Sequence, residues 1–165
     1  MLKYILATAL ALAGTTANAA EIVRHKMSDT ALILKGVTVP AGSETVYLSG
    51  QIANPIDPSK KMTDIKGYED LGDTRTQTVS ALNKIKAELA ELGYTMSDII
   101  KLTVFVVGDP KLGGRMDFAG MNDGFKQFFL TSENPNTVAR STIQVAGLAG
   151  PYFLVEIEAT AAKAR

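Results

Sequence analysis

The chain contains no cysteine and no tryptophan, a single histidine and no excess of either charge, with 17 Lys and Arg against 17 Asp and Glu in 165 residues. Each absence excludes a class. Without a thiol there is no disulfide framework, no Cys-ligated zinc or iron–sulfur centre and no cysteine nucleophile. The lone imidazole, His25, has no acidic and nucleophilic partners near it in sequence, which argues against a Ser-His-Asp triad. Balanced charge lacks the basic footprint of a general nucleic-acid binder but leaves room for a local basic pocket. The longest apolar run, Tyr4 to Ala13, is half the roughly 20 residues that span a bilayer. A chain of this length buries roughly two-thirds of its unfolded surface as one domain, so neither a metal nor a disulfide is needed to hold it.

What is present begins with an address. Residues 1–19 carry Lys3, then the apolar run, then Ala17-Asn18-Ala19, the order of a secretory signal peptide with its A-x-A cleavage site. The expectation is a segment cut off on export, most simply to a periplasm, leaving residues 20–165 as a single domain with no membrane attachment. A chain without thiols suits that compartment.

In the remaining chain, Val46-Tyr47-Leu48 is β-prone and ends at Ser49-Gly50-Gln51, ahead of a proline-punctuated loop from Asn54 to Lys61 in which Lys60 and Lys61 read as solvated. Asp73 is suited to cap a helix whose apolar positions Val79, Leu82, Ile85, Leu89 and Leu92 recur at helical steps, with Gly93 as its stop. Ile100 to Val107 reads as an internal strand. A second helix is expected from about Arg115 to Leu130, its stripe of Phe118, Met121, Phe125, Phe128 and Phe129 facing the core. Two strands follow. In the first, Ala139, Ser141, Ile143 and Val145 alternate with Arg140, Thr142 and Gln144; in the second, Phe153, Val155, Ile157 and Ala159 alternate with Leu154, Glu156 and Glu158. The short Gly- and Pro-containing connection between them suggests a hairpin, with Arg140 beside either Glu156 or Glu158.

Two helices of this kind cover one side of a sheet, an α+β layer. The other side would then carry Arg140, Thr142, Gln144 and Glu156 among apolar residues such as Leu154. An apolar patch of that kind marks an interface, so the open sheet face is expected to associate with other copies.

The segments Val46-Tyr47-Leu48-Ser49-Gly50-Gln51, Ile100 to Val106, Asn122 with Phe128-Phe129, Ala139-Arg140-Ser141 and Val155-Glu156-Ile157-Glu158-Ala159 together resemble the RidA/YjgF family of reactive imine and enamine deaminases. The resemblance runs from Val46 to Ala161 in family order. It implies a chorismate-mutase-like α+β fold with two helices on one face of a mixed sheet, assembled as a homotrimer with ligand clefts between subunits. It implies that Arg140 grips a substrate carboxylate, which its fork of donors suits, and that Glu156 positions water and handles protons. Ser49 and Gly50 would line the cleft and Asn122 would lie near it. Thr142 stands where the family often has cysteine, and Glu158 reads as structural. The implied reaction is hydrolysis of a 2-imino or enamine acid to a 2-keto acid and ammonia, with no metal or organic cofactor.

Some features depart from the family. Its Gly-Pro-Tyr element is replaced by Ile33-Leu34-Lys35-Gly36-Val37-Thr38, and the Lys61–Leu71 segment and Gly113-Gly114 differ around the cleft rim. Two other classes stay open: a trimeric protein that binds small carboxylates or client chains without turnover and, more weakly, an endoribonuclease. Net neutrality argues against a nucleic-acid partner.

Overall fold

The computed structural model describes residues 20–165, so the expected targeting segment lies outside the described residues. Among the described residues, six strands and three α-helices follow in order: β1 (Val23–Lys26), β2 (Leu34–Thr38), β3 (Glu44–Ile52), α1 (Tyr68–Leu71), α2 (Thr74–Glu91), β4 (Ile99–Val107), α3 (Phe118–Phe125), β5 (Ala139–Val145) and β6 (Val155–Lys163). Four of the strands form a mixed sheet in the order β3-β6-β4-β5, in which only β4 and β5 run parallel. β1 and β2 make a separate antiparallel pair.

The central position of β4 follows from its composition. Ile99, Leu102, Val104 and Val106 are buried on the helix side, while Thr103, Phe105 and Val107 are half-buried on the other. Helix α2 starts where the Asp73 side chain accepts from Thr76 N at 2.8 Å. It ends at Gly93, whose φ of +78° lets Tyr94 N turn back to Leu89 O at 2.7 Å. Its buried stripe is Thr74, Gln77, Thr78, Ala81, Leu82, Ile85 and Leu89. The expected apolar stripe holds only from Leu82 to Leu89: Val79 is half-buried and Leu92 exposed, because the first half of the helix buries polar groups that apolar periodicity does not register.

Helix α3 is shorter than its aromatic stripe suggests. It spans Phe118–Phe125, capped by Asp117, and Phe128 and Phe129 lie in the turns that follow. Phe129 still stacks on Phe125 at 4.4 Å, so the core function of the stripe survives the loss of helix. At Gly124 an added Cβ would meet Thr78 Cβ at 2.8 Å, so the missing side chain sets how closely α3 approaches α2.

The expected hairpin between the last two strands does not form. β5 joins β4 in parallel through the α3 crossover, and β6 inserts between β3 and β4. A strand–helix–strand unit returns the second strand parallel to the first, and β6, leaving the edge, has to enter the one vacant position beside β4. Two further expectations are corrected. Leu154 is buried, not exposed on the open face. Lys60 is not simply solvated, since its ammonium pairs with the carboxylate of Asp70.

The connection into β6 is held by Gln77, fully buried in α2. Its amide donates to Gly72 O and Tyr152 O, each at 3.0 Å, and accepts from Leu154 N at 2.8 Å. Replacing it by leucine keeps the volume and strands three buried backbone groups. Gln77→Leu is therefore expected to lower stability by about 3 kcal/mol, measured by urea unfolding; a loss below about 1 kcal/mol would show that these groups find other partners.

Candidate functional site

Directly paired residues in neighbouring strands share a face, so the register assigns each expected site residue to a side of the sheet. Arg140 is level with Leu102, and Leu102 with Ala159; both neighbours are buried beneath the helices. Thr142 is level with Val104 on the same side. Glu156 is level with Phe105 and Ile52, which belong to the opposite, uncovered side. The expectation that Arg140 and Glu156 share the open face is thus overturned, and so is pairing of Arg140 with Glu156 or Glu158. The cause is the strand order, which puts β4 between β5 and β6.

On the helix side, Arg140 lies against α3. Its Nη2 donates to Asn122 Oδ1 at 2.7 Å, and its guanidinium carbon sits 4.5 Å from the Phe125 ring centroid and 6.0 Å from that of Phe118. Asn122, Phe118 and Phe125 are spaced to reach one strand residue from a single helix face. No carboxylate neutralises Arg140 among the described residues, and its Nη1 is buried without a hydrogen-bond partner. Desolvation lowers its pKa from the ordinary value to about 10. Two positions along the strand, the Thr142 hydroxyl is also buried and unpartnered. Gln144 closes this row, accepting from Met116 N at 2.9 Å and donating to Gly114 O at 2.8 Å, which ties the Gly113-Gly114 turn to the strand.

The second group lies on the open side. Between Leu48 and Gln51 of β3, Ser49 and Gly50 together oppose the single residue Glu158 of β6, a β-bulge. The bulge brings Gly50 under Glu156: a Cβ on residue 50 would lie 2.0 Å from Glu156 Oε1 and 2.9 Å from its Cγ. Only glycine leaves the carboxylate this position. The structure therefore brings Arg140, Asn122 and Thr142 together, brings Ser49, Gly50 and Glu156 together, and separates the two groups by the thickness of the sheet. His25, the one imidazole, belongs to β1 and bonds Thr38 Oγ1 at 2.9 Å. Its segment is a paired strand, which apolar alternation could not reveal because three of its four residues are exposed.

The site is thus a half-buried arginine without a carboxylate partner, beside an unpartnered hydroxyl at a sheet edge, on an α+β scaffold of one mixed sheet and one helical layer. A family profile described as Endoribonuclease L-PSP matches residues 37–163, and the chain belongs to that family, also known as YjgF/RidA. A RutC family protein of Pyrococcus horikoshii is 36% identical over 118 residues, covering 72% of this chain and 79% of that protein. A 2-iminobutanoate/2-iminopropanoate deaminase of Dermatophagoides farinae is 34% identical over 104 residues, 63% of this chain and 67% of that protein. The crystal structure of Escherichia coli TdcF with bound serine is similar with a TM-score of 0.55 and 35% identity, over 76% of this chain and 84% of that one.

A half-buried cation with no carboxylate partner opposes folding. Because the folded value of Arg140 is lowered, the unfolded chain holds the proton more tightly, and stability relative to a variant without the charge rises as pH passes upward through about 10. Below that pH the penalty is fully present. Arg140→Met is thus expected to melt at or above the wild-type temperature at pH 7, with the difference shrinking above pH 10. Thermal melts across pH measure the difference, and a variant that melts well below the wild type at pH 7 would show that the charge stabilises the fold.

Proposed function

We propose that the protein is a hydrolytic deaminase of reactive 2-imino or enamine acids, releasing 2-keto acids and ammonia. The observation that carries this reading is the half-buried Arg140, whose Nη1 is buried without a hydrogen-bond partner and which pairs with no carboxylate. A deaminase among the relatives and a bound amino acid in the TdcF crystal structure support it.

In this reading the substrate carboxylate accepts from Arg140 and from the Thr142 hydroxyl, while Asn122 and the Phe118 and Phe125 rings hold the guanidinium plane in place. Glu156 accepts a proton from a water molecule as its oxygen attacks C2 of the protonated imine. The C=N π bond breaks, and its electron pair goes to nitrogen. Glu156, now protonated, passes that proton to the nitrogen of the resulting 2-amino-2-hydroxy acid, and its regenerated carboxylate then takes the hydroxyl proton. The C–N bond then breaks as C=O forms, giving the keto acid and ammonia. Holding the carboxylate fixes C2 against the water, so much of the rate comes from positioning.

Since Arg140 and Glu156 occupy opposite sides of one sheet, a complete site takes the first from one copy and the second from another. A homotrimer in which each copy offers its β5 edge to the open face of the next supplies three such sites by symmetry. The exposed Tyr47 and Ile143 on that open side, 79% and 47% accessible, suit such a contact.

Ammonia release from 2-iminobutyrate, generated in situ by an amino-acid oxidase, tests the assignment. Arg140→Ala and Glu156→Gln should each lower kcat/KM by at least about 100-fold. Refolding the two variants together should restore about a quarter of the wild-type sites, the fraction that a random trimer pairs correctly. Unchanged activity in either variant would sink the catalytic assignment, and mixtures no more active than their components would sink the shared site. Binding of keto acids without ammonia release would leave a carboxylate-binding protein.

We also propose export to the periplasm with removal of residues 1–19. N-terminal sequencing of the processed protein should begin at Ala20, and an intact Met1 in the extracytoplasmic fraction would refute the cleavage.

A further inference from the structure

Next to Glu156 the open side of the sheet ends in an apolar cavity. Ile52, level with Glu156 on β3, forms its inner edge; Pro151, Tyr152 and Phe153 form one wall, and Met62 and Ile65 the other. The first wall is fixed from behind: Gln77 holds Tyr152 O, Tyr68 packs edge-on against Tyr152 at 5.5 Å, and its hydroxyl donates to Pro151 O at 3.4 Å. The second wall belongs to the 53–67 loop. Buried Asp70 holds this loop through the Lys60 ammonium and through Lys66 N at 2.8 Å, while Ile56 N reaches Asp70 O at 2.8 Å. Both walls are therefore anchored, although the only regular structure in them is the 3₁₀ turn Met62–Asp64. No charged side chain lines the cavity. Glu156, on the Gly50 bulge, lies outside this lining and is joined to it through Ile52, its partner on β3.

We infer that this cavity receives the substrate's side chain, and that the enzyme therefore prefers 2-imino acids with large apolar side chains, branched or aromatic, over 2-iminopropanoate. The inference rests on the deaminase reading for the chemistry but on the cavity for the preference. A substrate bound by its carboxylate at Arg140, with C2 facing Glu156, has one substituent left to place, and the space beside Glu156 on its own side of the sheet is apolar. Filling an apolar pocket discriminates by about tenfold or more for each substantial group that a smaller competitor lacks. The wall of Met62 and Ile65 is distant in sequence from Arg140 and Asn122, so the preference can vary there without touching the anion site. The reaction class that supplies such substrates is oxidation of the corresponding amino acids at Cα, which yields the 2-imino acid directly.

The experiment compares imines made in situ from phenylalanine, leucine and alanine by amino-acid oxidases, with semicarbazide as the competing trap. Wild-type kcat/KM should be at least tenfold higher for the phenylalanine or leucine imine than for 2-iminopropanoate. Met62→Asp and Ile65→Asp, each at an accessible loop position, should cut that ratio at least fivefold, chiefly through KM. Equal kcat/KM across the three imines, or a ratio unmoved in both variants, overturns the inference while leaving the deaminase intact. If no imine is turned over, the deaminase reading itself fails, and the pocket is judged by binding. Calorimetry with 4-methyl-2-oxopentanoate and pyruvate should then give at least a tenfold difference in Kd that Met62→Asp removes; equal affinities overturn the pocket as well.

Discussion

Burying a guanidinium without a carboxylate is costly, and the fold tolerates it because three partial compensations converge on one residue. Two ring faces and one amide oxygen surround Arg140, all from a single short helix. Each compensation depends on α3 lying close to the sheet edge. That closeness depends in turn on Gly124, where a side chain would push into Thr78 and lift α3 away from α2. The path of the chain contributes as well. A β4–α3–β5 crossover places α3 over its own second strand, so the helix that connects the strands is also the helix that holds the arginine. Within the deaminase reading, an ordinary salt bridge would neutralise Arg140 and leave it nothing to offer a substrate carboxylate.

The same crossover forces the second constraint. With β4 between β5 and β6, Arg140 points under the helices and Glu156 points away from them. Within the deaminase reading, association of copies and assembly of the site become one requirement: the surface that would be a liability in a monomer is the surface that carries Glu156. The bulge at Ser49-Gly50 belongs to this arrangement. A regular strand would put a Cβ where the Glu156 carboxylate rests, so the irregularity in β3 is what lets an acidic group lie flat at the mouth of the open face.

Much of this was legible in the residues. Asp73 and Gly93 mark both ends of α2, the β-branched run marks β4, and the Ala139-Arg140-Ser141 and Glu156-Ile157-Glu158 segments carry the family. Strand order was not, because alternation assigns faces within a strand and says nothing about which strand lies beside it. The order strand, helix, strand from β4 to β5 held the missing signal, since such a unit favours a parallel return. The short connection to β6 suggested a hairpin and outweighed it. Gln77 and Thr78 are illegible for a different reason: a polar side chain reads as solvent-facing until the backbone groups it satisfies are known. β1 and β2 carry too few buried residues for any periodicity to show.

The division of labour across the molecule has a physical basis. Within the deaminase reading, anion capture by Arg140 needs a rigid setting, because an arginine that could swing out to water would lose the desolvation that makes it selective for a partner charge. It accordingly sits on a strand under a helix. Discrimination among side chains needs only an apolar surface of the right extent, and loops supply that without disturbing the sheet. The 53–67 loop meets this need with few ties: buried Asp70 secures it, and Met62 and Ile65 are left facing the space beside Glu156. Substitutions on that wall change what fits while Arg140, Asn122 and the Gly50 bulge keep their places. The chemistry of the site and its choice of substrate are thus set by separate parts of the chain.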